Sequence, residues 1–224
     1  MTAFLLTFTA LFSIVNPLSG AFIFFSATQG LGTRVRAQVS RWVAIYAFAI
    51  VTASLYIGAY VLSFFGISLP VLLVAGGIVI AMSGWRMLSG PDATEQRRTE
   101  TTRALPDHIV PSRLAFYPLT MPLTTGPGTI SVAISIGAAR PNGFGEPWLA
   151  FVLGTILAVT LLCLCIFVLY RHSARIARAI GVTGTTIVVR LSAFLLFCIG
   201  IQVFWNGAAQ LLSTLARATG PPLS

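Results

Sequence analysis

The chain is divided into six long apolar stretches, and proline and glycine interrupt two of them in mid-span. The first break reads Asn16-Pro17-Leu18-Ser19-Gly20, and the second reads Met121-Pro122-Leu123-Thr124-Thr125-Gly126-Pro127-Gly128. A bilayer holds no water to satisfy backbone groups that such residues free, so a break at membrane depth must face protein or a polar cavity. Paired breaks in two halves of a chain are typical of the binding site of a repeat-built transporter.

The composition is that of an integral membrane protein. Hydrophobic residues make up 56% of the chain and charged residues only 8%, which is far from the balance of a soluble domain. Because a helix of about 20 apolar residues spans a bilayer, we predict an all-α membrane protein with six transmembrane helices. The predicted spans are residues 2–28, 42–65, 69–88, 114–138, 147–170 and 187–212.

The net charge of +9 comes from arginines that concentrate in alternate loops. In a soluble protein this charge would suggest nucleic acid, but here the membrane topology explains it and the expected partner is the lipid bilayer. Basic residues favour cytoplasmic loops, so we expect the first, third and fifth loops inside and both termini outside. The arginines of these loops are Arg34, Arg36, Arg41, Arg86, Arg97, Arg98, Arg103, Arg113, Arg171, Arg175 and Arg178.

The spans divide into two groups of three within a single membrane domain, residues 1–224. Repeat 1 is residues 1–88, a cytoplasmic connector is residues 89–112, and repeat 2 is residues 113–218. Because three is odd, the second group enters the membrane from the opposite face, which predicts inverted repeats. The breaks occupy matching positions in spans 1 and 4; chance similarity between apolar segments is the alternative explanation.

The first break has the features of a helix stop followed by a new helix start. Asn16 is a preferred N-cap, and Pro17 suits the first helical position because its missing N–H would have no partner there. We expect the new half-helix to present the free N–H groups of Leu18, Ser19 and Gly20, together with the positive end of its dipole. An anionic group can bind at such a helix end without a fixed cation.

The second break repeats this arrangement with more glycine. Pro122 ends or kinks the incoming segment, Thr124 and Thr125 offer hydroxyls, and Gly126 permits close approach of backbone or ligand. Pro127 can begin a second half-helix whose free donors belong to Gly128, Thr129 and Ile130. With inverted entry, we expect the two breaks to meet near the midplane. Packing is the alternative, since single prolines are common in membrane helices.

The sequence offers no catalytic set and no metal-binding set, and we expect neither an enzyme nor a resident cofactor. Its five acids lie in the predicted loops, so no carboxylate is available at membrane depth as a proton relay. Sodium coupling through backbone carbonyls and uncoupled exchange both stay open. The acids are Asp92, Glu95, Glu100, Asp107 and Glu146.

Three polar residues of the last span are candidates for supporting the breaks. Arg190 lies about one turn inside the span, where snorkelling to the interface is the simpler interpretation and a gate or carboxylate contact the sharper one. Gln202 and Asn206 follow on the same helical face. They can bond a neighbouring helix or support the broken helices.

The chain resembles the MarC family of bacterial inner-membrane proteins over nearly its whole length. The resemblance rests on Asn16-Pro17-Leu18, Phe65-Gly66-Ile67-Ser68-Leu69-Pro70 with Ala75-Gly76-Gly77, Pro118-Leu119-Thr120-Met121-Pro122 with Gly126-Pro127-Gly128-Thr129-Ile130, and Arg190-Leu191 with Gly200, Gln202 and Asn206-Gly207. It implies a six-span inner-membrane protein grouped with lysine-exporter-like transporters, some of whose relatives move glycine or alanine. One departure is Ser19, since many relatives place glycine directly after the aliphatic residue.

These observations favour a transporter of a small zwitterionic solute, such as a neutral amino acid. The carboxylate would bind after Asn16-Pro17, and the ammonium would bind near Thr124, Thr125 and Gly126, while the repeats rock about this site. A non-transporting membrane scaffold or stress-associated protein, whose breaks serve packing, is the alternative. A channel is a weaker option, because no ring of charged residues marks a pore.

Overall fold

The computed structural model describes residues 2–89, 110–141 and 145–219, which are almost entirely helical. Residues 90–109 of the predicted connector, with four of the acids, lie outside the described residues. The helices in chain order are α1 (Thr2–Val15), α2 (Pro17–Ala27), α3 (Thr33–Phe64), α4 (Leu69–Ser89), α5 (Pro111–Leu114), a π-helical segment (Ala115–Thr124), α6 (Pro127–Ala138), α7 (Glu146–Gly181) and α8 (Thr183–Leu215).

Five helical units among the described residues are long and apolar enough to cross a membrane. They are α1 and α2 together (Thr2–Ala27), α3, α4, α7 and α8. The all-α membrane class predicted from the sequence is therefore confirmed. The fourth predicted span, 114–138, is instead divided between the end of α5, the π-helical segment and the short apolar helix α6.

Prolines explain why this fourth span is not a regular helix. Pro118 and Pro122 have no N–H to donate to the preceding turn. The residue before a proline is also pushed toward extended geometry by contact with the proline ring. Accordingly, Tyr117 has φ −129° and ψ 127°, and Met121 has φ −106° and ψ 121°. Both prolines follow cis peptide bonds.

The helix ends also differ from the predicted spans. Helix α3 begins at Thr33, well before residue 42, and helical structure continues through most of the predicted fifth loop. Arginine is a good helix former, so basic residues at the end of a span extend the helix beyond the apolar stretch. The helical run from Glu146 to Thr219 is broken at Gly181, whose φ of 74° favours glycine.

The interior is formed by helix faces with regular four- and three-residue spacing. One face of α3 buries Val39, Val43, Ala47, Val51 and Leu55. One face of α7 buries Val159, Leu162, Ile166 and Tyr170 in the same cluster. This period places the side chains on one stripe of each helix. Helix α3 packs against α6 and the π-helical segment, and α1 and α2 pack against the helical run that begins at Glu146.

Glycines bring α4 and α8 into direct backbone contact. A Cβ at Gly84 would meet the backbone of Phe197, and one at Gly77 would meet that of Phe204. A Cβ at Gly207 would meet the carbonyl of Pro70. The contacts advance along α8 as they retreat along α4, so the two helices run antiparallel. Small residues permit this close approach of membrane helices, whose association depends on packing rather than on the hydrophobic effect.

Candidate functional site

At the first break, a single residue in the left-handed conformation separates two right-handed helices. Asn16 ends α1 and has a left-handed conformation with φ 45° and ψ 64°. Asparagine tolerates this region better than most residues because its short side chain bonds to nearby backbone. Here Asn16 Oδ1 accepts from the Ser19 N–H at 3.3 Å. Pro17 then begins α2, so the predicted cap and helix start are confirmed.

The donors left free at this helix end are fewer than the sequence predicts. The Ser19 N–H is bonded to Asn16 Oδ1, and the Gly20 N–H donates to the Asn16 carbonyl at 3.0 Å. Of the three predicted donors, only the Leu18 N–H is left to donate a hydrogen bond to a ligand. Asn16 therefore accepts hydrogen bonds from the first N–H groups of α2, which is the function of an N-cap residue.

A second polar group at this break is left without a partner. Ser19 is 2% exposed, and its Oγ makes no hydrogen bond among the described residues. Most buried hydroxyls are hydrogen-bonded, so each exception calls for a physical explanation. Thr7, Thr52 and Ser173 share this condition. Ser19 alone among the four belongs to a break, beside the N-terminus of α2.

The second break is dominated by hydroxyls that bond the backbone. In the π-helical segment, Thr120 Oγ1 donates to the Ala115 carbonyl at 2.7 Å, and Thr124 Oγ1 donates to the Leu119 carbonyl at 2.8 Å. Thr125 Oγ1 donates to the Thr120 carbonyl at 3.3 Å. The wide turn and the prolines free carbonyls that an α-helix would bond, and threonines satisfy them.

Helix α6 begins at the second break as predicted, with Gly126 as its N-cap and Pro127 at its first position. Among the described residues, no side chain caps this end, and the Ile130 N–H donates to the Gly126 carbonyl at 3.2 Å. Of the three donors predicted here, those of Gly128 and Thr129 remain. Thr129 is only 3% exposed.

Tyr170 of α7 joins the two breaks. Its Oη lies 3.0 Å from Thr124 Oγ1, and a Cβ at Gly20 would collide with the same oxygen. The Thr124 hydrogen is already given to the Leu119 carbonyl, which can only accept, so Tyr170 donates to Thr124. The Tyr170 ring stacks on Phe24 of α2, with centroids 4.7 Å apart. The hydroxyl therefore touches the first half-helix and bonds the second break.

No sequence pattern singles out Tyr170 or Ser192. Tyr170 is the last residue of the predicted fifth span, where tyrosine ordinarily lies at the membrane interface. It is instead completely buried, because its ring packs on Phe24 and its hydroxyl lies against Gly20 and Thr124. The Ser192 carbonyl accepts from Asn16 Nδ2 at 3.5 Å and so connects α8 to the first break.

The predicted supporting residues lie elsewhere on α8. Arg190, Gln202 and Asn206 are all exposed. Gln202 Nε2 donates to Asn206 Oδ1 at 2.9 Å, so the two amides bond each other rather than a break. The contact of α8 with the first break is made by Ser192, ten residues before Gln202.

Two cavities among the described residues have no lining residue from either break. One, of about 310 Å³, lies at the turn between α3 and α4 and includes Ser63, Ser68 and Ala138. The other, of about 370 Å³, is an apolar groove between α4 and α8. Within the described ranges, no group of three or more His, Cys, Asp or Glu residues could hold a metal.

Comparison with known proteins identifies the family. A family model described as MarC family integral membrane protein matches residues 1–212. The inner membrane protein MarC of Citrobacter koseri is 31% identical over 205 residues, which cover 91% of this chain and 93% of that protein.

Two further relatives carry the same name. The protein of Salmonella typhimurium is 32% identical over 207 residues and that of Escherichia coli 32% over 210, each covering 91% of this chain and 93% of the relative. No solved structure matches the chain. The predicted resemblance is confirmed: the chain belongs to the MarC family and is a multi-pass protein of the bacterial inner membrane.

Proposed function

We propose that the protein transports a small zwitterionic solute, a neutral amino acid such as glycine or alanine, and that it is not an enzyme. The solute binds between the two breaks, and the two halves of the chain move alternately about it. The observation that carries this proposal is the Ser19 hydroxyl, which is buried at the first break and has no partner in the part of the chain that the structure describes. A buried hydroxyl is stabilised when a ligand supplies the missing hydrogen bond.

The first break supplies donors. The Leu18 N–H, the Ser19 Oγ–H and the positive end of the α2 dipole face a carboxylate, which needs no arginine at this depth. Relatives with glycine at the equivalent of Ser19 would bind through backbone alone. The hydroxyl of Ser19 adds one donor and reduces the space available to the solute.

The second break supplies acceptors. The hydroxyl hydrogens of Thr124 and Thr125 are given to backbone carbonyls, so their oxygens can only accept further hydrogen bonds. Oxygens of this kind suit an ammonium group. They also suit sodium, so coupling to a sodium gradient belongs among the measurements below.

Tyr170 closes the site in the described conformation. Its contacts with Thr124 and Gly20 hold the breaks together, and the two described cavities lie elsewhere. We interpret this conformation as occluded. Solute entry then requires the Tyr170–Thr124 hydrogen bond to open on one side.

The proposed topology has six crossings in two inverted groups of three, residues 1–88 and 113–218, with both termini periplasmic. The antiparallel contact of α4 with α8, the third and last crossings, supports it. So does the position of a helix start at Pro17 in the first crossing and at Pro127 in the fourth.

Uptake of radiolabelled glycine and alanine into proteoliposomes tests the proposal. We expect wild-type uptake above that of protein-free liposomes, and a loss of about tenfold or more in Ser19→Ala, because a hydrogen bond to a charged group is worth about 1.5–3 kcal/mol. Thr7→Val is the matched control, since it removes another buried, unpartnered hydroxyl about 14 Å before the first break. Parallel assays with and without a sodium gradient test coupling.

Absence of wild-type uptake would contradict transport of these solutes. Unchanged uptake in Ser19→Ala, or equal losses in Ser19→Ala and Thr7→Val, would contradict the proposed role of the Ser19 hydroxyl in binding. Unchanged uptake in Pro17→Ala combined with Gly126→Leu would also remove the breaks from the mechanism. The non-transporting scaffold is favoured by the tight burial of Gly20, Thr124 and Tyr170, and a protein that moves neither solute would support it.

A further inference from the structure

One face of α8 carries two amide side chains exposed at membrane depth. Gln202 and Asn206 bond each other, but no partner among the described residues is recorded for Gln202 Oε1 or for Asn206 Nδ2. These groups retain one acceptor and two donors, respectively. Helix α8 is also the least covered of the five membrane-length units, with 17% of its most apolar stretch buried inside the protein.

The position of Gln202 relative to α4 sets its depth. Helix α4 has 21 residues and is therefore about 31 Å long, close to the ~30 Å thickness of the hydrocarbon layer. Gly77 of α4 contacts the backbone of Gly200 and Phe204, so Gln202 lies at the level of Gly77. That level is roughly 12 Å from the Leu69 end of α4. Amides exposed to hydrocarbon there have no water to satisfy them.

The exposed residues around Gln202 follow the spacing of a helix-pairing seam. They are separated alternately by four and three residues, which keeps them on one line along a helix that pairs with another. All six are exposed: Leu191, Leu195, Cys198, Gln202, Trp205 and Ala209. A polar residue within such a seam fixes the register and the number of helices that associate.

We propose that this seam binds the same seam of a second copy of the chain, forming a parallel α8–α8 dimer in the membrane. Two copies in one membrane have the same orientation, and a two-fold axis along the membrane normal places Gln202 opposite Gln202. The free acceptor of one copy then meets the free amide donors of the other. This self-complementarity selects a second copy over a lipid tail, which offers neither donors nor acceptors.

The native cysteines provide a direct test. Cys198 lies in the seam and is exposed, whereas Cys163 is buried. In native membranes, mild oxidation or a short bismaleimide should convert the wild-type protein into a covalent dimer, and Cys198→Ser should abolish this product. As a control for random collisions, Leu164→Cys in the Cys198→Ser background places a thiol on an exposed position of α7 and should not cross-link.

The amides are tested by volume-conserving variants in a subunit-mixing fluorescence assay in liposomes. Gln202→Met combined with Asn206→Leu should weaken association roughly tenfold, since each interhelical hydrogen bond contributes modestly. Gln210→Met, which removes an exposed amide outside the seam, should leave association unchanged. Absence of a Cys198 cross-link in the wild type, a monomer at every protein-to-lipid ratio, or equal association in the two amide variants would overturn the proposal.

Discussion

The two breaks share proline and glycine but differ in the polar groups that they leave available. At the first break, Asn16 caps the new helix and a serine hydroxyl remains unpartnered, so the break offers donors. At the second, threonine hydroxyls are consumed by carbonyls of the π-helical segment, so their oxygens offer acceptors. Both helix starts keep free N–H groups, so the difference between the breaks lies in their side-chain hydroxyls. One sequence signal can therefore leave either a free hydroxyl donor or only hydroxyl acceptors, depending on which side chains satisfy the freed backbone.

The largest expected loss of stability is at the first break, where Gly20 contacts Tyr170. In Gly20→Ala the new methyl group collides with the buried Tyr170 hydroxyl, and we expect a loss of about 3 kcal/mol in unfolding free energy, at the upper end for overpacking. Gly32→Ala is the control, because a Cβ there has open space, and should cost less than about 1 kcal/mol. Denaturation in mixed micelles measures the unfolding free energy of both variants. Equal losses would show that the Tyr170 side chain can move away from the new methyl group at little cost.

A smaller loss of unfolding free energy is expected when the hydrogen bond between Tyr170 and the second break is removed. Thr124→Val leaves the Tyr170 hydroxyl buried without its acceptor and should cost about 2 kcal/mol. Tyr170→Phe removes the donor and should cost about half as much, because no polar group on Tyr170 is then left unsatisfied. The double variant should reveal a coupling of roughly 1 kcal/mol in a double-mutant cycle, whereas additive losses would mean that the hydrogen bond contributes nothing.

Asn16 and Gly126 are the N-cap residues of the helices that begin at the two breaks, so their alanine variants can be compared directly. Asn16→Ala loses the side-chain cap and places alanine in the left-handed region, so we expect a loss of about 1–2 kcal/mol. Gly126→Ala should cost about 1 kcal/mol, at the lower end for overpacking, because a φ of −76° suits alanine but the new Cβ would lie 2.9 Å from the Pro122 carbonyl oxygen. Thermal unfolding of the two variants side by side checks the order. The reverse order would place the tighter constraint at the second break.

The smallest effect on stability is expected from Ser19→Ala. The hydroxyl has no partner in the described conformation, so its removal should leave the unfolding free energy unchanged or raise it by up to about 1 kcal/mol. A clear loss of stability, measured without solute, would mean that the hydroxyl has a structural partner. The hydroxyls of both breaks would then be hydrogen-bonded within the protein, and the difference between the breaks would disappear.

Much of the membrane fold could be predicted, because long apolar segments in a bilayer have few alternatives to helices. The cap at Asn16 and the helix starts at Pro17 and Pro127 follow from local chemistry and were confirmed. The π-helical segment was not predicted, since two nearby prolines can either kink a helix or redistribute its hydrogen bonds. Helix boundaries were wrong where arginines extend α3 and α7, because a hydropathy pattern marks the apolar layer and not the helix end.

For the candidate site, the sequence located the breaks but not the groups that connect them. Tyr170 and Ser192 act through contacts between segments far apart in the chain, and no local pattern marks them. Conversely, Gln202 and Asn206 share a helical face with Arg190, yet that face is exposed. Spacing along a helix states which residues share a face, but only packing states what the face contacts.

The sequence by itself determined that this protein lies in the membrane, that it belongs to the MarC family and that two of its segments are interrupted. These properties depend on composition, motifs and the absence of N–H groups on proline, all of which are local. The tertiary structure decided which freed backbone groups are satisfied, that Tyr170 joins the two breaks and that the amides of α8 face outward. These depend on distances between helices, which hydropathy and spacing do not encode.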